Sequence, residues 1–150
     1  MTGPGRRLTL DAALVGSLLV VGLLTLSPTG GAGWAWGDPV AELRWYAGAA
    51  TSPTAAAQLV GNLLLLVPSA VLAVVRWPAL RRPATLVPAA GAAGVAIELL
   101  QWALPLGRVV SPVDALLNAT GALVVGGFVA AALSLWSAGS GRPHRVWAGA

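Results

Sequence analysis

Four apolar runs limit what this chain can fold into. They cover about residues 8–26, 55–75, 84–104 and 112–136. A helix of about 20 apolar residues crosses a hydrocarbon core of ~30 Å, so each run is long enough to span a membrane. The chain is 57% hydrophobic and 9% charged, with a mean hydropathy of +0.78. A soluble domain carries about a quarter charged residues, so a water-soluble core is the poorer reading. The expected fold is all-α: an integral membrane protein, a four-transmembrane-helix bundle forming one domain.

Other classes are excluded by the same composition. All nine basic residues are arginine. They stand in singles and pairs between apolar runs rather than in a stripe, so the net charge of +4 is no nucleic-acid signal. With no cysteine, disulfides and thiolate metal sites are excluded. The bias toward Ala, Gly, Pro, Val, Leu and Arg, without lysine, suits a high-GC bacterial genome.

Residues 1–7 read as a short N-terminus carrying Arg6 and Arg7, before a first span broken only by Asp11. Basic residues before an apolar stretch are also the layout of a signal peptide. The length of the run, and Ser27-Pro28 where a small-residue cleavage site belongs, favour an uncleaved span. Residues 27–54 form an outer loop with Trp34, Trp36, Trp45 and Tyr46. Asp38-Pro39 is a helix start that predicts a short helix over 40–48, its aromatic rings suited to the headgroup level. In the second span Pro68 deprives the Leu64 carbonyl of its helical partner, which predicts a kink with neighbouring helices satisfying the freed group. Ala90, Gly91 and Gly94 in the third span, and Ala122 and Gly126 in the fourth, permit close helix approach. Residues 137–150 read as a flexible cytoplasmic tail holding Arg142, the single histidine His144 and Arg145, with His144 solvated rather than catalytic.

The arginines orient the bundle. With a cytoplasmic N-terminus, Arg6, Arg7, Arg76, Arg81, Arg82, Arg142 and Arg145 lie inside and only Arg44 and Arg108 outside, seven against two. That satisfies the positive-inside rule and places both termini in the cytoplasm of a bacterium, in a multi-pass protein of its cytoplasmic membrane.

This topology brings scattered polar residues into one layer. Glu98 lies about seven residues below the outer end of the third span, hence roughly 10 Å deep at ~1.5 Å per residue. Asn118 in the fourth span and Asn62 in the second fall at similar depth. Glu98 and Gln101 are three apart and Asp114 and Asn118 four apart, so each pair shares a helix face. Arg108 hangs above them from a short loop. A carboxylate inside a span costs about 2.5–3.5 kcal/mol and normally faces the bundle interior or a wet cavity. The structural reading is a hydrogen-bonded clasp, Glu98 with Arg108 or Asn62, and Asp114 as a helix-start residue favoured by the macrodipole. The functional reading makes Glu98 the candidate general acid or base. Arg108 would hold an anionic phosphate or carboxylate, and Asn62, Gln101 and Asn118 would orient the substrate or the Glu98 carboxyl. Asp114 completes the candidate catalytic set. Two carboxylates without a clear third ligand are weak evidence for a metal, and no metal or cofactor is expected.

At these residues the chain resembles the VanZ-like family of small bacterial membrane proteins. The pattern is an Asn and a Pro on one span (Asn62, Pro68), Glu-x-x-Gln on the next (Glu98 to Gln101), Gly-Arg (Gly107-Arg108), then Asp114, Asn118 and Gly121. It covers about residues 58–127, and the first span agrees only in being hydrophobic. Two positions depart: Ser111 stands where family members often carry an acid three positions after the arginine, and Ser69 or Ala70 where glycine is usual. The resemblance implies a membrane protein linked to the cell envelope, and the founding member is associated with low-level teicoplanin resistance. The leading expectation is a protein that handles or modifies an anionic lipid or lipid-linked cell-wall precursor at the outer leaflet, leaning toward headgroup modification by Glu98 and Arg108. The alternative is a non-catalytic membrane protein that binds envelope components or partner proteins, its polar layer structural. A transporter ranks third, since four spans show no inverted repeat.

Overall fold

Proline stands at the first or second position of every α-helix among the described residues, where its missing N–H costs no hydrogen bond and its fixed φ suits the first turn. In this computed structural model, which describes residues 3–30 and 34–140, α1 runs Pro4–Leu26 and α2 Pro39–Ala47. α3 (Pro53–Leu65) and α4 (Val67–Arg76) follow, then α5 (Pro83–Ala103) and α6 (Pro112–Ser140). Side-chain caps sharpen the starts: Asp38 Oδ1 accepts the Val40 N–H at 3.0 Å, and Ser52 Oγ accepts that of Ala55 at 3.3 Å. Four helical units, α1, α3–α4, α5 and α6, are long and apolar enough to cross a membrane. α6 continues to Ser140, past the expected end at residue 136. Arg142, His144 and Arg145 lie outside the described residues.

Pro68 interrupts the second unit just upstream, at Leu66. α3 stops at Leu65, Leu66 takes φ −90° and ψ −4°, and α4 restarts at Val67. The Leu64 carbonyl freed by the proline accepts the Leu66 N–H, a partner from its own chain segment and not from a neighbouring helix.

α6 is the central helix, packed along α5, α4 and α3, while α1 leans on α4 and more lightly on α5. Small residues set these crossings. A Cβ on Gly121 would stand 1.7 Å from the Leu63 carbonyl oxygen, and one on Gly94 2.4 Å from that of Ala115. Backbone meets backbone at both places. Gly91, expected to serve the same purpose, faces open space. Apolar clusters fill the middle, Val21, Leu66, Ala90, Ile97 and Ala122 in one and Val74, Leu86 and Ala130 in the other. Leu19, Leu23, Leu64, Phe128 and Leu135 remain exposed, an outer face suited to lipid.

Each end of the bundle is tied by polar contacts. Asp11, the interruption in the first apolar run, receives Arg76 Nε at 2.6 Å and Nη2 at 3.2 Å, a fork-to-fork ion pair joining the start of α1 to the end of α4. The Ser17 and Ser69 hydroxyls hydrogen-bond to each other, joining the middle of α1 to the first turn of α4. At the opposite end the loop after α1 is laced to the loop before α6. Thr29 N–H donates to Leu106 O at 2.9 Å, and two-residue strands β1 (Ala35–Trp36) and β2 (Val109–Val110) pair in parallel with Ala35 opposite Val109. Trp34 packs edge-on against Trp36 and Trp102 there, at centroid distances of 5.6 and 6.2 Å.

Candidate functional site

Under this laced loop lies a cavity of about 570 Å³. Asn62, Glu98, Gln101, Arg108, Asp114 and Asn118 all line it, so the six residues singled out by sequence do share one space.

Ser111 is the hub. It precedes Pro112 at the start of α6, and its Oγ accepts the Asp114 N–H at 3.0 Å, a helix N-cap. In a capping box the acid three positions on would reach back to the Ser N–H. Here Glu98 of α5 takes that N–H instead, at 2.7 Å from Oε2. The Ser111 hydroxyl donates to Glu42 Oε2 at 2.5 Å. Ser111 is 1% exposed, so these groups meet away from bulk solvent.

Released from capping, the Asp114 side chain turns to α2 and α3. Tyr46 Oη donates to Asp114 Oδ1 at 2.5 Å and accepts from Asn62 Nδ2 at 3.1 Å, and Gln58 Nε2 reaches Oδ2 at 3.5 Å. Burial, reinforced by the Asp114 carboxylate, pushes the Tyr46 phenol far above its ordinary pKa, so it is a donor at physiological pH. Asp114 is thus an acceptor for an interhelical phenol as well as a residue of the first helical turn.

The expected Glu98 clasp has a different partner. Neither Arg108 nor Asn62 bonds the Glu98 carboxylate. Arg108 donates instead to the last carbonyls of α1: Nη2 to Leu24 O at 3.0 Å and Ser27 O at 3.1 Å, Nε to Ser27 O at 3.2 Å. A cation there complements the negative end of the α1 dipole. Its Nη1 donors take no part in these bonds. Gln101, buried, donates to Thr25 O at 3.1 Å and ties α5 to the same turn of α1. Asn118 is 1% exposed, and its Oδ1 has no hydrogen-bond partner. A buried carbonyl oxygen without a donor costs about 1–3 kcal/mol, so this group weakens the fold rather than holding it.

Glu42, Tyr46, Gln58 and Ser111 are site residues that sequence reasoning missed. The chain has only five acidic residues, and Glu42 sits on a predicted interfacial helix, which was the available signal. The Glu42 carboxylate meets the Ser111 hydroxyl and so brings an acid to position 111 from another helix. Gly37 makes room: a Cβ there would lie 1.9 Å from Glu42 Oε1. Among the described residues no group of three or more His, Cys, Asp or Glu side chains is arranged to hold a metal ion. Chemically the cavity wall carries carboxylates that can accept protons, one guanidinium, and the amides of Gln58, Asn62, Gln101 and Asn118.

Neither the curated proteins nor the solved structures contain a match to the chain. The VanZ/LLP1 family model matches residues 15–134, a stretch that includes every residue of the cavity described above. The chain belongs to the VanZ/LLP1 family.

Proposed function

We propose that this VanZ-type protein handles an anionic envelope lipid or a lipid-linked cell-wall precursor, taking its polar head into the cavity beside Ser111. The observation that carries the reading is Asn118, a residue of the polar cavity's wall whose side-chain oxygen is buried without a hydrogen-bond donor. With Glu42, Glu98 and Asp114 outnumbering Arg108, the fitting head is a phosphate that also bears hydroxyl or amine donors. Arg108 would meet the phosphate, and the carboxylates would accept from the donors. Glu98 is then the group best placed to move a proton on that head, because its Oε1 is not used in holding Ser111. The arginine distribution supports an outward-facing cavity in a bacterial cytoplasmic membrane with both termini inside. Labelling of an Asp38→Cys variant from outside intact cells supports this orientation, and labelling only from the cytoplasm overturns it.

A second reading, favoured by the engagement of Glu98 with Ser111 and of Arg108 with α1, is a binding protein whose polar layer holds the helices together without chemistry. Glu98→Gln and Arg108→Lys distinguish the two. Loss of the cellular phenotype, teicoplanin susceptibility included, at unchanged membrane level supports a chemical site. Parallel loss of phenotype and accumulation supports the structural one.

A further inference from the structure

The end of the bundle away from the Ser111 site holds a second cavity, of about 280 Å³, lined by Arg6, Arg7, Arg76 and Arg81. Four guanidinium groups surround it, and the carboxylate in contact with them is Asp11, already paired with Arg76. Arg81 is fixed by donating to the carbonyls of Val74 and Val75 at 3.3 and 3.4 Å. The guanidinium groups of Arg6 and Arg7 make no hydrogen bond to any described residue. The cavity therefore carries a surplus of cationic donors, with Arg76 and Arg81 held in place and Arg6 and Arg7 exposed beside them.

An apolar cavity of about 300 Å³ lies next to it, with Trp77 lining both. The two also run together along α1, where Leu10 lines the basic cavity and Leu14, one turn on and on the same face, lines the apolar one. Ala70, Ala73 and Ala93 leave the apolar channel open between α1, α4 and α5. The Arg76 guanidinium lies over the Trp77 ring at 5.5 Å, which holds the ring at the junction of the two cavities.

A cationic chamber side by side with an apolar cavity has the layout of one amphipathic molecule. We infer that this end of the bundle is a binding site for an anionic phospholipid, its phosphate among Arg6, Arg7 and Arg81 and one acyl chain in the channel beside Trp77. The site is separate from the Ser111 cavity and stands whichever reading of that cavity holds. It commits the apolar channel to the lipid's own chain, because only a ligand with both parts fills both spaces.

The test uses the full chain, purified in detergent, with phosphatidylglycerol and phosphatidylcholine of equal chain length. Lipid retention is read by native mass spectrometry and thermal stabilisation. Phosphatidylglycerol is expected to bind at least tenfold more tightly. The Arg6→Gln/Arg7→Gln double variant should reduce that binding about 25-fold, at roughly fivefold per arginine. Ala73→Leu, which fills the channel and keeps every charge, should also weaken retention of phosphatidylglycerol. Equal binding of the two lipids by the unaltered chain overturns the proposal. So does competition by soluble glycerol phosphate as effective as that by phosphatidylglycerol, since a free phosphate needs no channel.

Discussion

Glu98 Oε2 accepts the backbone N–H of Ser111 at 2.7 Å, so the carboxylate of one helix completes the first turn of the next. The acceptor, not the charge, is what this contact requires. Glu98→Gln keeps an oxygen for the N–H and should change stability by less than about 1 kcal/mol, whereas Glu98→Ala strands a buried donor and should cost about 1–3 kcal/mol. Reversible unfolding in mixed micelles measures both.

Glu42 and Ser111 should be energetically coupled through their 2.5 Å contact. Ser111→Asp retains a helix cap but sets a third carboxylate beside Glu42 and Glu98, and should destabilise the chain by about 1 kcal/mol or more. Adding Glu42→Gln should recover most of that loss. A double-mutant cycle checks it, and additive effects would deny that Glu42 and Ser111 are coupled.

Tyr46 is the only tyrosine, which makes its titration readable. Its pKa is raised on folding above the ordinary 10.0, first by burial and then by Asp114. The protonated phenol is the form the fold favours. Its stabilising contribution is therefore complete below pH ~10 and lost as the pH rises through the folded value. The 295 nm phenolate absorbance of the folded protein should stay flat past the midpoint shown by the denatured chain.

Helix approach at Gly121 is a packing requirement. Gly121→Ala drives a methyl into the Leu63 carbonyl and should destabilise the bundle by at least about 1–3 kcal/mol. Gly91→Ala meets no atom within 4 Å and should be neutral or slightly stabilising. Thermal melting of the two variants against the parent compares them directly.

Hydropathy made the four spans legible, because lipid tolerates few polar interruptions and each run announces its own length. The polar layer was legible for the same reason: in so apolar a chain Asn62, Glu98, Gln101 and Asn118 stand out, and helical spacing sets their faces. What joins them was not. Ser111 looked like a departure from a pattern, yet its N–H and hydroxyl organise two carboxylates. The pairing of Ala35 with Val109 is too short to leave a periodic signal and depends on the tertiary meeting of two loops. Arg108 was legible as a site residue but not in its partners, since backbone carbonyls at the end of α1 have no sequence signature.

Asn118 gives the most direct test that the cavity serves a ligand. Its Oδ1 is buried without a donor, so a purely structural layer gains nothing from it. Asn118→Leu keeps the volume near constant and removes the unsatisfied oxygen. Measured together, the unfolding free energy of the purified variant should be equal to or above the parent's while the cellular phenotype is lost at normal membrane level. A variant that is destabilised, with phenotype falling only in step with its accumulation, would contradict a ligand site at this position.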